Sequence, residues 1–159
     1  LPDVPLIGLL PAGVHRAVLR VAEQARRCWW RLRKPTLRGV AIAAFDDRGR
    51  VLLVRHSYRM RDEWHLPTGG CRRGEEPMEA GMRELAEETG LRAKNMREVG
   101  TDCFNLHGAT NNVTILAAQT SGEARADGRE IREVRWTDPA ALPASVPQWA
   151  RAYIERAAG

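Results

Sequence analysis

The stretch from Thr68 to Leu91, TGGCRRGEEPMEAGMRELAEETGL, constrains the fold more than any other part of the sequence. Glu76-Pro77 reads as a helix start, because proline is favoured at the first helical position, where its missing N–H is no loss. Gly90 stands where a left-handed residue would end that helix. Leu85 and Met82 are expected to supply its apolar contacts, and Gly81, in mid-helix, should cost about 1 kcal/mol relative to Ala unless close packing requires it. With a rotation of about 100° per residue, Glu84, Glu87 and Glu88 put three carboxylates on one face. Left alone they would repel one another, and a polyacidic face is most often only a solvated surface. Three additions argue for more: Gly69-Gly70 allow tight backbone before the helix, Glu75 sits in the loop entering it, and Arg83 has Glu79 and Glu87 four residues away on either side.

Oxygen-only ligands converging from a helix and a loop suit a hard cation, so Mg²⁺ or Mn²⁺ is favoured over zinc. Mg²⁺ keeps few carboxylates and completes its shell with water and phosphate oxygens, which points to a nucleotide-like diphosphate as the second partner. Such a metal would neutralise phosphate charge, orient the phosphorus and lower the pKa of a bound water.

Around this stretch the chain divides by local pattern. Gly39 to Ser57 holds two β-branched apolar runs joined by Asp46-Asp47-Arg48-Gly49, which predicts a hairpin. Further strands are expected around Met96 to Phe104, Asn112 to Gln119 and Glu130 to Thr137, with His107-Gly108 in a turn and Ser121 to Gly128 as an exposed loop. Asp138 to Leu142 reads as a helical turn and Val146 to Ala157 as a last helix. Strand pairs, a helix, more strands and a final helix describe an α+β domain with a mixed sheet. Ahead of it, Val14 to Lys34 repeats Val14, Val18, Val21, Ala25, Cys28 and Leu32 at helical spacing and ends at Pro35. The other face of this N-terminal amphipathic helix is basic, from Arg16 to Lys34, with Glu23 the only acid. It reads either as a helix packed on the domain or as a membrane-surface or nucleic-acid arm. The division expected is an extension over residues 1–38 and a catalytic or binding domain over 39–159.

A length of 159 residues suits one domain with a real core. The net charge of +5, from 25 Lys+Arg against 20 Asp+Glu, favours anionic partners such as nucleotides, nucleic acid or acidic lipid. Cys28, Cys71 and Cys103 are odd in number and form no C-x-x-C pair, which points away from a disulfide framework or a zinc site and towards a reducing, cytoplasmic compartment. The apolar segment LPDVPLIGLLPAG lacks a preceding basic residue, is broken by three prolines and is too short to span a bilayer, so no transmembrane helix or cleavable signal is expected.

Gly69 to Leu91 resembles the Nudix box, G-x5-E-x7-R-E-U-x-E-E-x-G-U with U aliphatic, and matches it at Gly69, Glu75, Arg83, Glu84, Leu85, Glu87, Glu88, Gly90 and Leu91. Trp64-His65-Leu66-Pro67 resembles the family's usual approach to the box, with Thr68 where glycine is commoner. The resemblance implies the Nudix fold, an α/β/α sandwich with a mixed sheet, and hydrolysis of a nucleoside diphosphate linked to another group. Carried over by position, Glu84, Glu87 and Glu88 would be metal ligands, and Glu75 would join through a water or a second metal. Gly69 belongs to the same metal-binding region, and Arg83 would orient the glutamates by charge-assisted hydrogen bonds. The general base is left between the box glutamates and Glu130 in GREIREVRW, with Glu133 beside it.

Outside the box the sequence says less about substrate. Arg92 to Thr110 contains no Pro and no Tyr, the residues by which ADP-ribose and diadenosine-polyphosphate hydrolases are often recognised. Arg55 and Arg72 are candidates for substrate phosphates, and Trp64 for stacking on a base or, as a large aromatic, for core packing. The leading expectation is a Mg²⁺-dependent hydrolase of a nucleoside diphosphate derivative. The alternatives are an RNA 5′-end pyrophosphohydrolase that uses the basic helix, and a nucleotide-sensing module of the same fold without turnover. The sequence does not choose between a monomer and a homodimer.

Overall fold

From Val40 onward, β1 (Thr36–Phe45) is apolar at every position, and a strand with that pattern must be covered on both faces. In the computed structural model, which describes residues 36–57, 62–106 and 109–159, β1 is the central strand of a six-stranded mixed sheet. Val40, Ile42 and Ala44 enter one core layer, while Ala41, Ala43 and Phe45 enter the other. Helix α1 (Pro77–Thr89) closes the first layer through Ala80 and Leu85. Helix α2 (Gln148–Ala158) closes the second through Ala150, Tyr153, Ile154 and Ala157. The result is the expected α+β architecture, an α/β/α sandwich.

Along the sheet, β4 (Arg92–Leu106) pairs antiparallel with β5 (Ala109–Ser121), and β5 lies parallel to β1 from Thr36↔Thr110 to Phe45↔Gln119. Thr36, Leu37 and Arg38, grouped with the extension on sequence, are thus already in the sheet. On the other side of β1, β2 (Val51–His56) continues to β6 (Ile131–Thr137). The Asp46 turn forms as expected: its side chain accepts hydrogen bonds from the N–H groups of Arg48 and Arg50, and Gly49 supplies the positive φ of 75°. The hairpin, however, is paired only at Phe45↔Val51. Beyond that point β1 and β2 diverge, because the segment from His65 to Gly70 enters between them. Val54 exchanges both backbone hydrogen bonds with His65, the Ile42 N–H donates to the Pro67 carbonyl, and the short β3 (Thr68–Gly70) then pairs with β1.

Helix α1 starts at Pro77 as expected, with the Glu79 side chain reaching back to the Glu76 N–H, and ends at Gly90 with φ 72°. Its buried stripe is Ala80, Gly81, Leu85, Glu88 and Thr89. Met82 lies outside that stripe and is 48% exposed, which corrects the apolar contact expected of it. Gly81 sits where a Cβ would come within 2.3 Å of Leu116 Cδ1, so close helix–sheet packing explains this glycine. A 3₁₀ turn over Pro139–Ala141, capped by the Asp138 side chain, leads towards α2. No helix among the described residues is long and apolar enough to cross a membrane. The N-terminal helix expected over Val14 to Lys34 and the His107-Gly108 turn lie outside the described residues.

Candidate active site

The segment between β1 and β2 shapes the site from below. Gly69 pairs with Val40, whose side chain faces the α1 layer, so a Cβ on Gly69 would point towards the helix and meet Glu84 Cδ at 1.9 Å. The Glu84 carboxyl therefore occupies the space that any larger residue at 69 would need. One residue earlier, the Thr68 N–H faces the Glu88 carboxylate and favours its charged form. A three-residue strand thus seats two of the three helix glutamates.

Arg83 connects the remaining groups. Its Nε and Nη2 bind Glu75 Oε1 and Oε2 at 2.8 and 2.9 Å, a bidentate fork, while Nη1 donates to Glu84 Oε1 at 2.7 Å and Glu87 Oε2 at 3.3 Å. Nη2 also reaches the Gly70 carbonyl at 3.0 Å. Hydrogen bonds from Arg83, with a further one from the Arg72 N–H, pull the Glu75 carboxyl down to about 2. Glu75 is therefore a fixed anion that keeps Arg83 charged and in place.

The helix glutamates share a face but not an environment. Glu87 is half exposed and meets Arg83 and, at 3.5 Å, Arg72. Glu84 is mostly buried; desolvation raises its pKa, Glu87 and Glu130 add repulsion, and Arg83 opposes the rise. Glu88 is 6% exposed, and its Oε2 has no hydrogen-bond donor among the described residues. Burial first, then repulsion from Glu84, Glu130 and Asp127, push its pKa up to about 9, with the Thr68 N–H only partly offsetting this. Glu130 thus lies within electrostatic reach of both Glu84 and Glu88.

Arg55 and Trp64 form a separate group. The guanidinium lies 4.3 Å over the Trp64 ring and pairs with Glu133 at 3.0 Å and Asp62 at 3.4 Å. Trp64 is 2% exposed, so it packs in the core and offers no open face to a base. Glu133, the neighbour weighed as a base, belongs to this ion-paired group. Sequence reasoning missed three participants: Asp127, the Thr68 N–H and the Gly70 carbonyl. The Asp127-Gly128 dipeptide is a turn signal that could have pointed to the first, but the two backbone groups depend on β3, which Thr-Gly-Gly does not announce.

The donors suit a hard cation, since every candidate ligand is a carboxylate oxygen and Glu88 Oε2 is buried without a donor. Among the described residues no three carboxylate, imidazole or thiol groups converge as a ligand set, and Arg83 binds both Glu84 and Glu87. A cation would take over the neutralising role that Arg83 now fills for those two.

Fold and site together define an α/β/α sandwich in which a cluster of carboxylates on one helix stands over a short glycine-bearing strand. The family model described as NUDIX domain matches residues 35–157, and the chain belongs to the Nudix hydrolase family. It is 39% identical over 77 residues to a Bartonella bacilliformis protein named RNA pyrophosphohydrolase, covering 44% of this chain and 45% of that one. A Vibrio parahaemolyticus protein named NAD-capped RNA hydrolase NudC is 28% identical over 127 residues, 79% of this chain and 48% of the relative. The chain thus matches less than half the length of either relative. Among solved structures, a MutT protein from Methanosarcina mazei superposes with a TM-score of 0.67 at 24% identity, covering 78% of this chain and 94% of that one, which supports the fold.

Proposed function

We propose that this chain hydrolyses the diphosphate linkage of a nucleoside diphosphate derivative with a divalent cation, Mg²⁺ or Mn²⁺, by attack of water on phosphorus. The observation that carries this reading is Glu88, a carboxylate buried at 6% exposure, facing three other acids and with one oxygen lacking a donor. A carboxylate so placed is stable only with a proton or a cation beside it. Glu84, Glu87 and Glu88 are the residues that would hold the metal. When bound, it would neutralise diphosphate charge, orient the phosphorus and lower the pKa of the attacking water.

The chain's own groups then divide the work. Glu75 keeps Arg83 charged, and Arg83 orients Glu84 and Glu87. Glu130, facing Glu84 and Glu88, accepts the proton of the attacking water as general base. The water oxygen forms the new P–O bond, the anhydride P–O bond breaks, and its electron pair leaves with the departing phosphate. Gly69 and the Thr68 N–H hold the helix carboxylates in position throughout. The complete set of box carboxylates favours turnover over a silent sensing module. A reducing, cytoplasmic setting belongs to the same proposal, on the odd number and wide spacing of Cys28, Cys71 and Cys103.

A second reading, hydrolysis at an RNA 5′ end, is favoured by one observation beyond the relatives' names. Residues 1–34 carry seven Lys+Arg and two Asp+Glu, whereas residues 35–159 carry eighteen of each, so the whole basic excess lies ahead of the sheet. Both readings are tested by phosphorus NMR in ¹⁸O-enriched water with Mg²⁺. The panel comprises nucleoside triphosphates, ADP-ribose, dinucleoside polyphosphates, coenzyme A and 5′-triphosphorylated RNA. Label in a phosphate product of one substrate supports diphosphate hydrolysis and identifies the phosphorus attacked. No turnover with Mg²⁺ or Mn²⁺ across the panel would overturn the reading.

A further inference from the structure

The loop from Gly122 to Glu130 crosses from the end of β5 to the start of β6, and it is tied down at three points. The Arg125 N–H donates to the carbonyl of Thr89, the residue after Glu88, at 2.9 Å. Asp127 Oδ1 then accepts three successive backbone N–H groups, those of Arg129 and Glu130 at 3.0 Å and of Ile131 at 2.7 Å. Gly128 makes the reversal possible with φ 71°, and its N–H closes the turn on the Ile131 carbonyl at 3.0 Å. From the other side, the Ser57 N–H donates to the Glu130 carbonyl at 2.8 Å, and the Ser57 hydroxyl donates to the Arg129 carbonyl. Both backbone polar groups of Glu130 are therefore held, one by Asp127 and one by the end of β2. An acid on an exposed loop is ordinarily free to sample many positions, whereas this one is anchored at its own backbone and, through Arg125, to the helix that carries Glu84 and Glu88.

From this geometry we infer that Asp127 is a positioning residue, whose side chain aims the Glu130 carboxylate at the box glutamates through the hydrogen bonds it accepts from the Arg129, Glu130 and Ile131 N–H groups. The inference rests on the reading of Glu130 as general base given above. A base must stay within hydrogen-bond reach of the proton it takes, and a misplacement of about 1 Å can cost on the order of 100-fold in rate. The hydrogen bonds, not the charge, carry the role. Asn at 127 keeps the Oδ1 acceptor and removes the charge that faces Glu88, whereas Ala removes both.

The test measures kcat and KM on the best substrate of the NMR panel for Asp127→Ala, Asp127→Asn, Glu130→Gln and the double variant Asp127→Ala with Glu130→Gln. Asp127→Ala is expected to lower kcat at least tenfold with KM and the Mg²⁺ activation constant within about twofold, and Asp127→Asn to restore most of that loss. In the Glu130→Gln background, Asp127→Ala should have no further effect, because the residue it positions is already disabled. If Asp127→Ala does not fold, Asp127→Val, which also removes every side-chain acceptor, replaces it in the same cycle. Additive losses, or an Asn variant as impaired as the Ala variant, would show a structural or electrostatic role and overturn the inference. So would an Ala variant with wild-type kcat. In those outcomes wild-type turnover, abolished by Glu87→Gln, leaves the proposed function standing, whereas a wild-type chain without turnover removes both.

Discussion

Glu88 shows at single-residue scale how stability and chemistry oppose each other in this molecule. Its pKa in the metal-free fold, about 9, lies above the 4.5 of a free glutamate, so the folded state keeps a proton where the unfolded chain has released it. The metal-free fold therefore has its full stability from this group below about pH 4.5 and loses it as pH rises through about 9. Glu88→Gln cannot ionise and escapes that loss. Thermal unfolding in a chelator should give the variant a higher Tm than the parent at pH 8 and a nearly equal one at pH 5. The same substitution should lower turnover by orders of magnitude. Saturating Mg²⁺ should reverse the order of stability, since a ligand at 100 times its Kd adds about 2.7 kcal/mol to the form that binds it. Equal melting curves at both pH values would remove the buried-anion account. Gly69→Ala acts on the neighbouring glutamate: a Cβ at 1.9 Å from Glu84 Cδ must displace that carboxyl. We expect a folded protein with turnover reduced at least 100-fold, checked by kinetics beside a circular dichroism spectrum. At Gly81, added helix propensity and a clash act in opposite directions. Alanine gains about 1 kcal/mol in the helix, but its Cβ meets Leu116 Cδ1 at 2.3 Å. Overpacking of a closed core costs about 1–3 kcal/mol, so Gly81→Ala should be destabilising on denaturant titration.

Among the elements, the sequence was most legible where one local cause decides the outcome. Pro77 and Gly90 bound α1 because their backbone chemistry acts within a turn, and the uninterrupted apolar run of β1 carried its burial on both faces. β3 was not legible. Thr-Gly-Gly has no strand preference of its own, and it becomes a strand only because His65 and Pro67 bond to β2 and β1 on either side of it. The site inherits that limit. Which residues carry its acids could be read from the box, but the different burial of Glu84, Glu87 and Glu88 follows from β3 lying beneath the helix and could not. Asp127 escaped notice because a polar loop conceals which of its side chains bond to backbone. The Asp46 turn is the contrary case, a local device that pins the one paired point of the β1–β2 hairpin. Burial alone would raise the Asp46 pKa, yet hydrogen bonds from the Arg50 backbone and side chain and from the Arg48 N–H hold it below the usual carboxylate range. Its contribution is present above the unfolded pKa and is lost as pH falls through the folded one. Asp46→Ala should cost about 1–3 kcal/mol in urea unfolding at pH 7, and less at pH 3.

For the whole molecule, charge is divided more sharply than the net value of +5 suggests, because residues 35–159 are neutral in sum and the first 34 carry the entire excess. On the proposed function a mononucleotide would engage only the carboxylate cluster of α1 and β3, so its turnover should depend little on residues 1–34. A 5′-triphosphorylated RNA presents the same reacting phosphates with a chain of further phosphates behind them, on which those seven cations can act. Binding that neutralises Z phosphates of a single strand weakens with salt at a slope of about −0.7Z in log–log form. If the basic residues engage RNA as a group, the slope for RNA should approach about −5, while that for a nucleoside triphosphate stays shallow. Removing residues 1–34 should then flatten the RNA slope and raise KM for RNA, with kcat and KM for the mononucleotide nearly unchanged. Parallel salt slopes for the two substrates in the full chain would assign the basic segment to something other than the substrate. A truncated chain that aggregates would instead place its apolar stripe against the domain, and the mononucleotide reading would then stand alone.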